Sequence, residues 1–126
     1  MSVAALTPTQ FVTAVRNSGG FLELIVFSVN SSGNITRNGT VYTALSIGSL
    51  ALAKLDSQRV VTVALDMYSN TAALSIWSVD SNVNITAQGA NPWTINNYSG
   101  TMGVVAVNQS QIVVGQTGNG SYLTLT

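Results

Sequence analysis

The side chains able to do chemistry are few and far apart. Glu23, Asp56, Asp66 and Asp80 are the whole acidic complement, Arg16, Arg37, Lys54 and Arg59 the whole basic one, and the chain has neither histidine nor cysteine. General acid–base hydrolysis needs two carboxylates facing one bond, and no pair here has a spacing that brings two together. Serines and threonines abound, but no histidine can activate one, and Lys54 alone remains as a conceivable base. Without thiolate or imidazole there is no disulfide framework and no zinc-type site. The aspartates do not recur at calcium-loop spacing. Gly115, Gly118 and Gly120 follow a strand pattern without the Lys-Ser/Thr pair of a phosphate loop. Asp80 falls where an Asx residue bonds its own backbone in a turn. The expectation is a protein with no catalytic residue, no metal and no cofactor, hence not an enzyme.

Aromatic residues offer the other chemistry. Tyr42 and Trp93 fall near one another in the internal repeat described below, each expected in the link between one repeat and the next. Asn96, Asn97 and Tyr98 follow Trp93. An aromatic platform flanked by neutral hydrogen-bonding groups suits an uncharged ligand such as a sugar. Packing between repeats or subunits is the competing use of the same rings.

Composition narrows the partners. Of the 126 residues 6% are charged and the net charge is zero, which excludes the basic footprint of a nucleic-acid binder and charge-driven disorder. The apolar runs, such as Leu50 to Ala53, are too short to span a membrane as a helix. Met1 to Gln10 has neither the basic nor the apolar region of a signal peptide. Abundant Asn, Ser and Thr with so little charge favour an extracellular, surface or virion setting. Asn-x-Ser/Thr triplets begin at seven asparagines, among them Asn30, Asn34 and Asn84. Turn chemistry accounts for them.

The elements that must position these residues come from a repeat. Leu24-Ile25-Val26-Phe27-Ser28-Val29-Asn30 aligns with Leu74-Ser75-Ile76-Trp77-Ser78-Val79-Asp80, and Asn34-Ile35-Thr36 with Asn84-Ile85-Thr86. Gln10-Phe11-Val12, Gln58-Arg59-Val60 and Gln111-Ile112-Val113 mark three copies. One domain of residues 1–126 is expected, with repeats at about 3–49, 50–101 and, in part, 102–126. Short runs rich in Val, Ile, Thr and aromatics, separated by Gly, Asn and Ser, predict antiparallel strands. They fall at Val3–Leu6, Phe11–Arg16, Phe21–Val29 and Ile35–Asn38; at Leu50–Leu55, Val60–Met67, Ala72–Val79 and Asn84–Gln88; and at Gly103–Val107, Gln111–Gln116 and Tyr122–Thr126. Thr43 to Leu55 also fits an amphipathic helix, interrupted by Gly48.

The run Phe11 to Phe27, with Val12-Thr13-Ala14-Val15-Arg16 leading to Leu22-Glu23-Leu24-Ile25-Val26-Phe27, resembles the blades of bacterial multi-repeat β-propellers. The resemblance implies an all-β, propeller-like fold of four-stranded antiparallel repeats, two complete and one partial. It also implies that Phe27 and Trp77 fill the space between blades, and that ligands bind between blades as in propeller lectins. A ring needs about four to eight blades, so closure is expected through homo-oligomerisation, with two copies making six blades. A β-prism or β-trefoil is the single-chain alternative. The function expected is a self-associating, lectin-like module for neutral glycans that binds no nucleic acid and no membrane. The alternatives are a structural subunit of a filament, surface layer or virion, and a fragment of a longer repeat protein.

Overall fold

The computed structural model describes residues 1–69, 71–94, 101–116 and 122–125, and of residues 90–94, 116 and 122–125 the backbone only. The described residues are all-β, with no helix among them. Its strands are β1 (Ser2–Thr7), β2 (Gln10–Arg16), β3 (Phe21–Val29), β4 (Ile35–Lys54), β5 (Arg59–Asp66), β6 (Thr71–Val79), β7 (Ile85–Thr94), β8 (Met102–Asn108), β9 (Gln111–Gln116) and β10 (Tyr122–Leu125). Strands β1 to β7 run in chain order as one antiparallel sheet, and β8 to β10 form a second. No closed barrel or propeller ring is formed by the described residues.

Strand β4 departs most from expectation. Residues 43–54 are neither helix nor link, because they lie in β4, which runs unbroken through twenty residues. Val41, Tyr42 and Thr43 favour extended backbone, and the bends are absorbed by irregularities in register at Asn38-Gly39, at Thr43-Ala44-Leu45 and at Gly48. The strand changes partners midway. Ser46 is the last residue paired with β3, opposite Phe21, and Ile47 is the first paired with β5, opposite Asp66. The seven-stranded sheet is thus two four-stranded leaves joined through β4. Leaf one is β1–β3 with the first half of β4, leaf two is the second half of β4 with β5–β7, and leaf three is β8–β10.

The leaves pack face to face. Alternate residues of a strand point to opposite sides of its sheet, and each leaf turns one side toward the leaf that follows. Leu6, Val12, Ala14, Leu24 and Val26 of leaf one pack against Leu52, Val60, Trp77 and Val79 of leaf two. The other side of leaf two, with Leu55, Val61, Val63 and Leu65, packs against Met102, Ile112 and Val114 of leaf three. Strand β5 is therefore buried on both sides, which is why Val60 to Leu65 is apolar but for Thr62 and does not alternate. Trp77 lies between leaves as expected, and its indole N–H donates to Thr62 Oγ1 at 2.9 Å. Phe27, its counterpart, stands instead on the outer side of leaf one, half-buried and stacked on Phe11 with ring centroids 5.1 Å apart.

Candidate functional site

Three of the four carboxylates are turn groups. Asp56, Asp66 and Asp80 each accept the backbone N–H two residues on, from Gln58 at 2.9 Å, Tyr68 at 2.9 Å and Asn82 at 2.8 Å. Such an Asx turn satisfies an amide that no strand partner can reach. Asp56 also takes Arg59 Nε at 2.6 Å. Its desolvation raises the carboxyl's pKa, but the Gln58 amide and the Arg59 guanidinium together outweigh that and hold it below the ordinary 3.8. Asp66 is lowered by the Tyr68 amide and the Ser69 hydroxyl. Asp80 is lowered by the Asn84 side chain and amide and then by the Asn82 amide. The fourth carboxylate, Glu23, is nearly buried and accepts Arg37 Nη2 at 2.8 Å.

Lys54 is likewise occupied. Its Nζ donates to the Leu6 carbonyl at 2.6 Å, fastening leaf two to leaf one. That contact fits a strand-end cation and leaves Lys54 engaged with backbone. Among the described residues no group of three His, Cys, Asp or Glu lies close enough to hold a metal ion.

The expected aromatic site is redistributed. Tyr42 lies within β4 and not in a link, directly opposite Glu23, and is 62% exposed. Partners that face each other across an antiparallel ladder share a side, so Tyr42 joins Glu23 on the outer side of leaf one. As the last strand of that leaf, β4 places Tyr42 at its margin. Trp93 is in β7 opposite Ala72. Leu24 pairs with Val41 and Leu74 with Asn91, so Pro92, not Trp93, holds the place of Tyr42. The two aromatics are one residue out of register. Asn96, Asn97 and Tyr98 lie outside the described residues.

Two features escape a reading of the sequence alone. One is a pair of neutral hydrogen-bonding clusters at equivalent places: Asn38 Nδ2 donates to Ser28 Oγ at 2.7 Å, and Gln88 Nε2 to Ser78 Oγ at 2.7 Å. The fifty-residue offset contains them, but nothing in it says which face is solvated. The other is a close contact between leaves at Gly39. A Cβ there would collide with the Val83 carbonyl oxygen, so the turn leading into β7 sits directly on the backbone of β4. Val83 itself has φ of 65°, a conformation costly for a β-branched residue. The structure holds it there by packing its side chain against the first core cluster.

A scan against protein-family models finds no match to this chain, and a search of curated proteins finds none either.

Proposed function

We propose that the protein is a non-enzymatic, propeller-like repeat module that associates with further copies of itself and binds neutral glycans along the margins between leaves. Self-association is carried by one observation: both outer sides of the stack present apolar residues to solvent, including Val3, Phe21, Val105 and Val107. A chain with 6% charged residues has little with which to blunt such surfaces. The non-enzymatic part is supported by the occupations of the carboxylates, three in turns and one in an ion pair. The glycan part is supported by Tyr42, an exposed ring at a leaf margin, and by the neutral Ser28–Asn38 and Ser78–Gln88 pairs at equivalent places in the first two repeats.

A glycan array probed with the intact assembly tests the ligand. Binding is expected to fall about 5- to 150-fold in Tyr42→Ala or Trp93→Ala with the assembly mass unchanged, since a stacked aromatic contributes about 1–3 kcal/mol. Silence across a broad neutral array contradicts that part of the proposal. The second reading, a structural subunit, draws on the same apolar outer sides. Electron microscopy separates the two, because closed rings favour the binding module and extended polymers the structural one.

A further inference from the structure

The pairing registers of the first and third leaves coincide. Val3 faces Thr13, Ala4 faces Val12 and Ala5 faces Phe11, with an irregularity before Thr7 faces Gln10. In leaf three Val104 faces Val114, Val105 faces Val113 and Ala106 faces Ile112, with the same irregularity before Asn108 faces Gln111. Each residue of β1, and of β2 as far as Ala14, therefore has a counterpart 101 positions on. The positions of leaf one that receive leaf two, namely Ala4, Leu6, Val12 and Ala14, correspond to Val105, Val107, Val113 and Gly115. In leaf one that side belongs to a core in which Leu6, Val12 and Ala14 are fully buried. In leaf three Val105 and Val107 are 54% and 62% exposed. Val105 and Val113 line, with Gly103 and Gly115, a hollow of about 340 Å³. The two sets contain the same number of side-chain carbons, nine each.

The opposite end matches in the same way. Leaf two meets leaf one through Leu52, Val60, Thr62 and Trp77, all buried. Val60 faces Trp77 and Leu52 faces Thr62, as Phe11 faces Phe27 and Val3 faces Thr13 in leaf one. The counterparts Val3, Phe11, Thr13 and Phe27 lie on the outer side of leaf one, Val3 60% exposed and the others half-buried. Both sets have twenty side-chain heavy atoms, the kind of exchange a packed interface tolerates best.

We infer that the outer side of leaf three docks onto the outer side of leaf one of a second copy of this chain, reproducing between copies the interface that joins leaf one to leaf two within a copy. The contact is head-to-tail: Val105, Val107 and Val113 on one copy meet Val3, Phe11 and Phe27 on the next. The occupant is a second copy because the surface that fills the equivalent place inside the chain has an exposed, volume-matched counterpart at the chain's other end. This rests on the self-association reading and specifies its geometry.

Mixing two blocked variants tests it. Val105→Asp disables one end and Val3→Asp the other. Each side chain is more than half exposed, so the isolated fold tolerates the change, and circular dichroism checks this. A carboxylate enclosed in an apolar contact weakens association by about 100-fold or more. Sedimentation equilibrium is expected to show multimers of the unaltered protein, monomers of either variant alone, and dimers when the two are mixed in equal amounts. If Val3→Asp alone still dimerises, the contact joins identical faces and the head-to-tail geometry is wrong while self-association survives. The geometry is equally overturned if two folded variants stay monomeric when mixed. If the unaltered protein is monomeric at every concentration, the self-association reading itself fails. Phe27→Lys provides a second block of the same end should Val3→Asp reduce the fold.

Discussion

Trp77 and Phe27 occupy the same place in successive repeats, yet Trp77 is 3% exposed and Phe27 half-buried on an outer side. The difference belongs to their leaves. Leaf two has a neighbour on each side, whereas among the described residues leaf one and leaf three have a single neighbour each. Turn chemistry follows the same division. Leaf two opens its hairpins with Asp56, Asp66 and Asp80, where the equivalent places in the outer leaves hold Thr7, Asn17, Asn30 and Asn108. The hydrogen-bond pattern is common to all, so the turn geometry does not depend on charge. The lesson is that equal sequence positions become unequal in energy once only one of them has something to pack against.

The sharpest way to break the comparison is to truncate both aromatics. Trp77→Ala should cost about 3–5 kcal/mol in urea unfolding, through lost burial and a cavity beside Thr62. Phe27→Ala should cost roughly half as much in a dilute, dissociated sample, because solvent already reaches that ring. Equal losses would mean that the outer side of leaf one is as well packed as the core. Next in size is Gly39→Ala, where a methyl group meets the Val83 carbonyl oxygen. Displacing that turn should cost about 1–3 kcal/mol, read as a lower urea midpoint. Smaller again is Gly33→Ala. Gly33 has φ of 80° and open space around it, so the loss is conformational alone, about 1 kcal/mol. Val83, its counterpart in leaf two, already bears that kind of strain.

The smallest effect is electrostatic. The lowered values of Asp56, Asp66 and Asp80 mean that the unfolded chain binds protons more readily than the folded one as the pH drops. Their stabilisation is fully present well above 3.8 and is lost as the pH falls through the lowered folded values. Asp80→Asn, which copies the turn at Asn30, should leave the fold unchanged at neutral pH. It should flatten the fall in unfolding free energy below pH 4, measured by urea titration across that range. An unaltered slope would show that the Asp80 turn does not contribute to acid unfolding.

Much of the fold was legible in the residues themselves. The spacing between Leu24 and Leu74 set the repeat, the Val- and Thr-rich runs marked strands, and Gly33 and Asn34 with their counterparts marked a turn. What pattern could not supply was the fate of the segment between repeats. A stretch such as Val41 to Ile47 satisfies strand, helix and link propensities alike, and the exchange of hydrogen-bond partners between Ser46 and Ile47 is what makes it one strand. That decision is tertiary, and it moved Tyr42 from a link into a sheet. The mismatch of Tyr42 with Trp93 was hidden for a related reason, since ladder pairing fixes a position to the residue while a repeat alignment with irregular strands does not. The outward placing of Phe27 was illegible because a repeat states which positions are equivalent and not how many neighbours each copy has.

Sedimentation equilibrium of the unaltered protein over a wide concentration range bears most directly on the central claim that both ends of the stack are unfinished surfaces. A mass that rises to a multiple of 13.1 kDa is the predicted result. A mass of 13.1 kDa at every concentration, with Val105 and Val107 still open to solvent, would contradict it.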